Sequence, residues 1–124
     1  MLIALYEENY RLCQHHLGPS ASWLPFRQLT EKGRLPLVVK IIGRSTYTTT
    51  FEIGFATNRI QPSFVTRLYE DLQVCEVLAY SEFGKPWKMP AGPHLDLESR
   101  WSRNMAFQKW MHYAFRTARR QGDP

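Results

Sequence analysis

The spacing of apolar positions predicts an amphipathic helix at the start of the chain, over residues 2–17. At about 100° per residue, the apolar side chains share one half of the helical wheel, and charged and amide side chains fill the other half. Gly18 and Pro19 end the pattern, because glycine is a favoured C-terminal cap and proline cannot continue a helix. One polar residue, Asn9, lies within the apolar half.

A second amphipathic helix is predicted from about Ser102 to Arg120. Its apolar stripe is formed by Phe107, Trp110, Met111, Ala114, Phe115 and Ala118, and basic side chains cluster on the opposite face. Trp101 and Met105 fall on the basic side of the wheel. We therefore expect the helix to break near Asn104, or these two side chains to be covered.

Residues 36–83 follow a β pattern. Leu37 to Ile42 is a β-branched run. The alternating segment from Tyr47 to Phe55 places Tyr47, Thr49, Phe51 and Ile53 on one face. Residues 64–80 predict a hairpin that turns near Glu70 and Asp71, with one bent strand or a partly helical segment as alternatives. A short strand around residues 23–26 would lie at a sheet edge, because Pro25 cannot donate a ladder hydrogen bond.

Helix, strands and helix in this order predict an α+β fold. We expect an antiparallel sheet of about four strands, with the N-terminal and C-terminal amphipathic helices packed on one face. The length of 124 residues fits one domain, over residues 1–124. The predicted core consists of Leu5, Tyr10, Leu12, Val39, Ile41, Phe51, Ile53, Leu68, Val77, Phe107, Trp110, Met111 and Phe115. Residues 84–95 hold 3 prolines and 2 glycines and predict a linker or a binding loop.

Composition indicates a cytoplasmic protein without membrane association. The chain begins without a signal-peptide pattern, and its apolar runs are far shorter than a membrane span. The two cysteines, Cys13 and Cys75, are too few for a disulfide framework and suit reduced thiols. A net charge of +5 permits weak attraction to nucleic acid or anionic surfaces.

The sequence carries no motif for catalysis, metal binding or a cofactor. Its potential metal ligands lack Cys-x-x-Cys and His-x-x-x-His spacing; they are Cys13, His15, His16, Cys75, His94 and His112. A Gly-x-Ser-x-Gly elbow and a phosphate-binding glycine loop are also absent from the sequence. We therefore expect no metal, no cofactor and no catalytic residue.

Four short segments resemble, in order, the YqiB family of small bacterial proteins, which has a domain of unknown function. They are Leu5 to Leu17 with Asn9 in the middle, the Tyr-Thr-Thr element in Ser45 to Thr49, Arg67 to Asp71 followed by Glu76 and Val77, and Asn104 to Phe115. The resemblance covers nearly the whole chain and implies the fold and a bacterial cytoplasmic setting. It implies no reaction. The chain departs from the family pattern at Gly84 to Pro93 and at Glu98 to Arg100.

The candidate binding residues are polar or aromatic. A buried Asn9 needs a hydrogen-bond partner, on a strand or on the final helix, or else it forms the floor of a cleft together with Asn104. Arg67, Tyr69 and Asp71 alternate and would share one strand face, where Arg67 forms a structural ion pair with an acid such as Glu76 or binds a carboxylate or phosphate.

Three functions remain open from the sequence. The first is a non-catalytic module that binds a protein partner or a ligand through a surface around Tyr47, Arg67 and Tyr69, or through the proline-rich loop with Trp87. The second is a nucleic-acid-associated protein that uses the basic face of the last helix, formed by Lys109, His112, Arg116, Arg119 and Arg120. That face is alternatively a solvated surface whose cations complement the helix dipole. The third is an enzyme of unrecognised type.

Overall fold

The computed structural model describes residues 2–31, 35–56, 63–81 and 97–116. Its elements in chain order are α1 (Leu2–Leu17), a 3₁₀ turn (Ser20–Ser22), β1 (Phe26–Leu29), β2 (Leu37–Arg44), β3 (Thr48–Phe55), β4 (Ser63–Tyr69), β5 (Val74–Ser81) and α2 (Leu97–Ala114). The segment 84–95, predicted as a linker or binding loop, lies outside the described residues.

The five strands form one antiparallel sheet in the order β1-β2-β3-β4-β5, which confirms the predicted α+β class. The predicted strand count of about four was one too low. The additional strand is β1, an edge strand close to the short strand considered around residues 23–26; it begins at Phe26, just after Pro25. The carbonyl oxygen of Pro25 accepts a hydrogen bond from the N–H of Ile41 at 2.8 Å, so the proline enters the ladder only as an acceptor.

Two details of the predicted strands differ from the structure or are resolved by it. Residues 64–80 form the hairpin β4–β5 rather than one bent strand or a helix, and the turn covers residues 70–73. Tyr47 precedes β3 and is 59% exposed, so the prediction that it shares the buried face of Thr49, Phe51 and Ile53 was wrong. The alternation of buried and exposed positions begins only where the strand pairs at Thr48.

Both helices pack on the same face of the sheet. The core joins α1, α2 and the buried positions of β2 to β5, and every predicted core residue lies in it or packs against it. Ile41 and Phe115 are partly buried at its periphery. Trp23 is an unpredicted member, and its ring meets that of Phe51 edge-on at 5.0 Å.

The C-terminal end of α1 is fixed to the start of the sheet. Gly18 adopts φ 78°, a left-handed conformation, and its N–H reaches the Gln14 carbonyl at 3.0 Å. The carbonyl of Leu17, at the end of the helix, then accepts hydrogen bonds from Trp23 Nε1 at 3.0 Å and Arg27 Nη1 at 2.9 Å. Because Arg27 belongs to β1, this cation at the helix C-terminus also holds the first strand in place.

Helix α2 differs from its predicted limits. It begins at Leu97 and ends at Ala114, short of the predicted Arg120. The helix continues through Asn104, so of the two alternatives for Trp101 and Met105 the break is wrong. Met105 is partly buried, whereas Trp101 remains 43% exposed. Among the described helices, none is long and apolar enough to cross a membrane.

Candidate functional site

The outer edge of β1 is open to an additional strand. Pro25 pairs with Ile41 through its carbonyl. In the same register, the backbone N–H and C=O groups of Arg27 and Leu29 point toward β2. Backbone groups alternate in direction along an antiparallel strand, so the N–H and C=O groups of Phe26 and Gln28 point away from β2. Within the described part of the chain these outward groups have no hydrogen-bond partner.

Three exposed apolar side chains lie beside this edge. They are Leu24, Phe26 and Ile42, and we call this surface the β1–β2 corner. They are 65%, 57% and 54% exposed, respectively. Phe26 lies opposite Lys40 in the register and therefore on the sheet face away from the helices. The Pro25–Ile41 hydrogen bond places Leu24 next to the β-bulge of β2, where Ile42 is the extra residue. The corner thus combines unpaired backbone groups with an apolar surface.

At the opposite edge of the sheet, helix α2 covers the backbone groups of Val77 in β5. Asn104 Oδ1 accepts a hydrogen bond from the Val77 N–H at 2.9 Å, and Arg103 Nε donates one to the Val77 carbonyl at 3.1 Å. Asn104 Nδ2 also donates to the Arg100 carbonyl, at 2.8 Å. Two adjacent side chains of a helix therefore occupy the place of a neighbouring strand. The two sheet edges differ in this respect.

Asn9 joins the same buried network. Its Nδ2 donates to the backbone carbonyl of Asn104 at 3.1 Å, and both asparagines are fully buried. The structure thus brings together the two asparagines that the sequence singled out, at the junction of α1, α2 and β5. The polar atoms Asn9 Oδ1 and Thr66 Oγ1 are also buried, and neither has a hydrogen-bond partner among the described residues.

Glu76 lies beside this network, and its carboxylate accepts hydrogen bonds from two tyrosine hydroxyls. Tyr6 OH donates to Glu76 Oε2 at 3.4 Å, and Tyr69 OH donates to Oε1 at 3.3 Å. Burial, followed by the negative charge of Glu76, raises the pKa of Tyr6 to about 12, against the opposing effect of Arg100 and Arg103. Helix α1, strand β4 and strand β5 are thereby linked through one carboxylate.

Arg67 does not form the ion pair that was one of its two interpretations. It lies directly opposite Glu76 in the register, yet its Nε donates to Thr50 Oγ1 at 2.9 Å. The ion pair found within the described residues is Arg11–Glu8, on the surface of α1. Arg67 and Tyr69 do share one face of β4, whereas Asp71 is exposed in the turn. The Arg67, Tyr69 and Asp71 alternation therefore ends at Tyr69.

A shallow groove of about 540 Å³ lies between α1 and the β4–β5 turn. Two of its lining residues belong to a hydrogen-bonded chain: Gln14 Nε2 donates to Tyr10 OH at 2.9 Å, and Tyr10 OH donates to Glu70 Oε1 at 2.8 Å. Ser20 Oγ donates to the other oxygen of Glu70. Burial raises the pKa of Tyr10 to about 12, and its hydrogen bond to Glu70 contributes to the rise. Glu7, Arg11, His15 and Gln73 also line the groove, so its polar lining is only partly held by these hydrogen bonds.

The remaining predicted residues are dispersed. Of the basic face, Lys109 and His112 are exposed on α2, Arg116 follows the end of the helix, and Arg119 and Arg120 lie outside the described residues together with Trp87. Tyr47 is exposed near the β4–β5 turn, where its carbonyl accepts a hydrogen bond from the Glu70 N–H at 2.7 Å. Within the described ranges, no group of three or more His, Cys, Asp or Glu side chains could hold a metal ion.

Sequence reasoning missed the β1–β2 corner. Pro25 did indicate an edge strand around residues 23–26, but no sequence pattern marked the surface beside that strand as a site. Nothing local indicates that Phe26 faces away from both helices, because its orientation depends on the register with Lys40.

The chain belongs to the family described as protein of unknown function (DUF1249), whose family model matches residues 11–120. Comparison with the curated proteins and with the solved structures gave no match.

Proposed function

We propose that this member of the DUF1249 family is a binding module that holds an extended segment of a partner protein along strand β1. A bound segment would extend the antiparallel sheet by one strand and pair with the outward backbone groups of Phe26 and Gln28. Side chains of the segment would contact the β1–β2 corner. The observation that carries the proposal is the unpaired edge of β1 next to three exposed apolar side chains.

The contrast between the two sheet edges supports this proposal. Open edges invite pairing with other chains, and folded proteins commonly cover or interrupt them. At β5 the chain uses Arg103 and Asn104 for this purpose. At β1 the described residues provide no such cover, and apolar side chains stand where charged ones would discourage association.

The test is a substitution that blocks pairing without disturbing the fold. Gln28→Pro removes the outward N–H and places a ring on the outer edge, whereas the hydrogen bonds of β1 to β2 involve its neighbours. Photo-crosslinking from position 24 in the full chain, at native expression, should trap a reproducible protein partner. The yield should fall at least about tenfold in Gln28→Pro.

Gln28→Ala is the matched control, since it removes the side chain and keeps the N–H; it should retain the partner. Arg27→Pro should instead destabilise the fold, because the Arg27 N–H faces β2. Equal crosslinking in wild type and in Gln28→Pro contradicts the proposal. A wild-type dimer that Gln28→Pro dissociates also contradicts it, because the occupant would then be a second copy of the chain.

The two other functions stay predictions. For nucleic acid, α2 itself carries Lys109 and His112 of the five basic residues, since the helix ends at Ala114. For an enzyme, the polar side chains around Glu70 and Glu76 are engaged with one another. Neither arrangement supports nucleic-acid binding or catalysis as directly as the open edge of β1 supports the binding of an extended segment.

A further inference from the structure

The two cysteines of the chain meet inside the core. Cys13 on α1 and Cys75 on β5 are 62 residues apart in sequence, and their Sγ atoms lie 3.9 Å apart. Both residues are fully buried and are free thiols. The chain contains two cysteines, so the fold places both of its thiols next to each other.

We propose that Cys13 and Cys75 form an internal disulfide when the protein encounters a small-molecule disulfide such as oxidised glutathione, which fastens α1 to β5. An S–S bond is about 2 Å long, so the two sulfur atoms must approach by roughly half of their present separation. Side-chain rotation together with a small shift of α1 supplies such a movement.

The reaction consists of two exchange steps. The thiolate of one cysteine attacks oxidised glutathione, forms a mixed disulfide and releases one glutathione thiol after protonation. The second cysteine then attacks the sulfur of the protein cysteine and releases the other glutathione. Overall, the two protein thiols lose two electrons and two protons, and one oxidised glutathione becomes two reduced molecules.

Burial controls both the rate and the outcome of this exchange. A fully buried thiol cannot reach the oxidant, and burial together with the neighbouring Cys13 raises the pKa of the Cys75 thiol. The first step therefore requires α1 to detach transiently from β5. Once a glutathione adduct has formed, it does not fit into the closed core, whereas the compact internal disulfide does. The folded state thus favours the internal bond over the mixed disulfide.

The disulfide would stabilise contacts that already join α1 to the rest of the protein. Helix α1 contributes Tyr6 to the Glu76 carboxylate and Asn9 to the Asn104 carbonyl. These contacts lie on the β5 side of the sheet, across three strands from the open edge of β1. The inference uses no residue of the β1–β2 corner and does not rest on the proposed peptide binding.

The experiment equilibrates the full chain without oxygen in glutathione buffers of graded composition, in native buffer and in concentrated urea. Alkylation then labels free thiols and leaves the internally bonded protein unlabelled. Apart from the mass of the alkyl groups, the bonded protein is about 2 Da lighter than the reduced protein. Trypsin then yields fragments 12–27 and 68–88 joined to each other. The equilibrium constant for the internal bond should be at least about tenfold larger in native buffer than in urea, because the fold holds the sulfurs in contact.

An equal or smaller constant in native buffer would overturn the proposal, as would mixed glutathione adducts in place of the internal bond. Heating gives a second measurement: the bonded protein should melt at a higher temperature than the reduced protein, and dithiothreitol should abolish the difference. An unchanged or lower melting temperature would also count against it. The Cys13→Ala and Cys75→Ala variants serve as controls in which the joined fragments cannot form.

Discussion

Asn104 Oδ1 accepts a hydrogen bond from the backbone N–H of Val77 at 2.9 Å, so a helix side chain completes the edge of the sheet. Asn104→Ala leaves the buried Val77 N–H without its partner and also removes the partly buried hydrogen bond to the Arg100 carbonyl. Each unsatisfied buried group costs about 1–3 kcal/mol, so we expect a loss of about 3 kcal/mol in the free energy of unfolding. Urea denaturation measures this loss. Ser102→Ala, an exposed change on the same helix, should alter stability by less than about 0.5 kcal/mol.

Trp110 anchors α2 over the sheet and is 6% exposed. Its ring contacts Phe55 at 5.5 Å and Phe64 at 5.4 Å between centroids. Trp110→Ala should lower the free energy of unfolding by about 3–5 kcal/mol, because it removes these contacts and leaves a cavity. An unchanged melting temperature in that variant is incompatible with the packing described above. Tyr113→Ala, at an exposed position of the same helix, is the matched control.

Trp110→Phe tests whether the ring or the indole N–H provides this stability. Trp110 Nε1 is buried without a hydrogen-bond partner among the described residues, so its loss leaves no partner unsatisfied. We therefore expect Trp110→Phe to cost less than half as much as Trp110→Ala in the same denaturation experiment. Equal losses in the two variants would contradict this expectation.

Tyr10 should make the protein less stable at alkaline pH. Its folded-state pKa is raised from 10.0 to about 12, so between these values the unfolded chain releases the phenol proton while the folded chain retains it. The stabilising contribution is complete below pH 10 and is lost as the pH rises toward about 12. Tyr10→Phe should flatten this decline in the free energy of unfolding, measured by denaturation across this range. Tyr6→Phe should do the same, whereas Tyr113→Phe, at an exposed position, should leave the decline as in wild type.

Gln73 adopts φ 55° in the β4–β5 turn, a left-handed conformation that costs a residue with a side chain about 1–2 kcal/mol. Gln73→Gly should therefore keep or raise stability, by up to about 1 kcal/mol after the added freedom of the unfolded chain is included. Gln73→Val should lower it, because β-branched residues tolerate this conformation poorly. Thermal unfolding ranks the three proteins. Leu72→Gly, in the same turn without a positive φ, should be destabilising; a gain there would contradict the backbone explanation.

The helices, the hairpin and the core could be predicted from residue patterns because local sequence encodes them. Periodicity identifies which side of α1 is apolar, and it placed Phe107, Trp110 and Met111 in the core. Boundaries were less predictable. The apolar stripe suggested a helix to Arg120, but the last turn of α2 ends at Ala114.

The candidate site could be predicted only in part. The sequence marked Asn9 and Asn104 as polar residues that need partners, and the structure joins them. It did not reveal that Arg103 and Asn104 cap Val77, or that Phe26 faces away from the helices. Arg67 hydrogen-bonds Thr50 rather than an acid, a choice set by the neighbouring strand.

By itself, the sequence determined the fold class, two amphipathic helices and most of the core, because hydrophobic periodicity is a local property of the chain. The tertiary structure decided which sheet edge is closed and which is open, and it brought Cys13 to Cys75. Such contacts join residues that are far apart in sequence. They depend on strand order and register, which no short segment of the chain specifies.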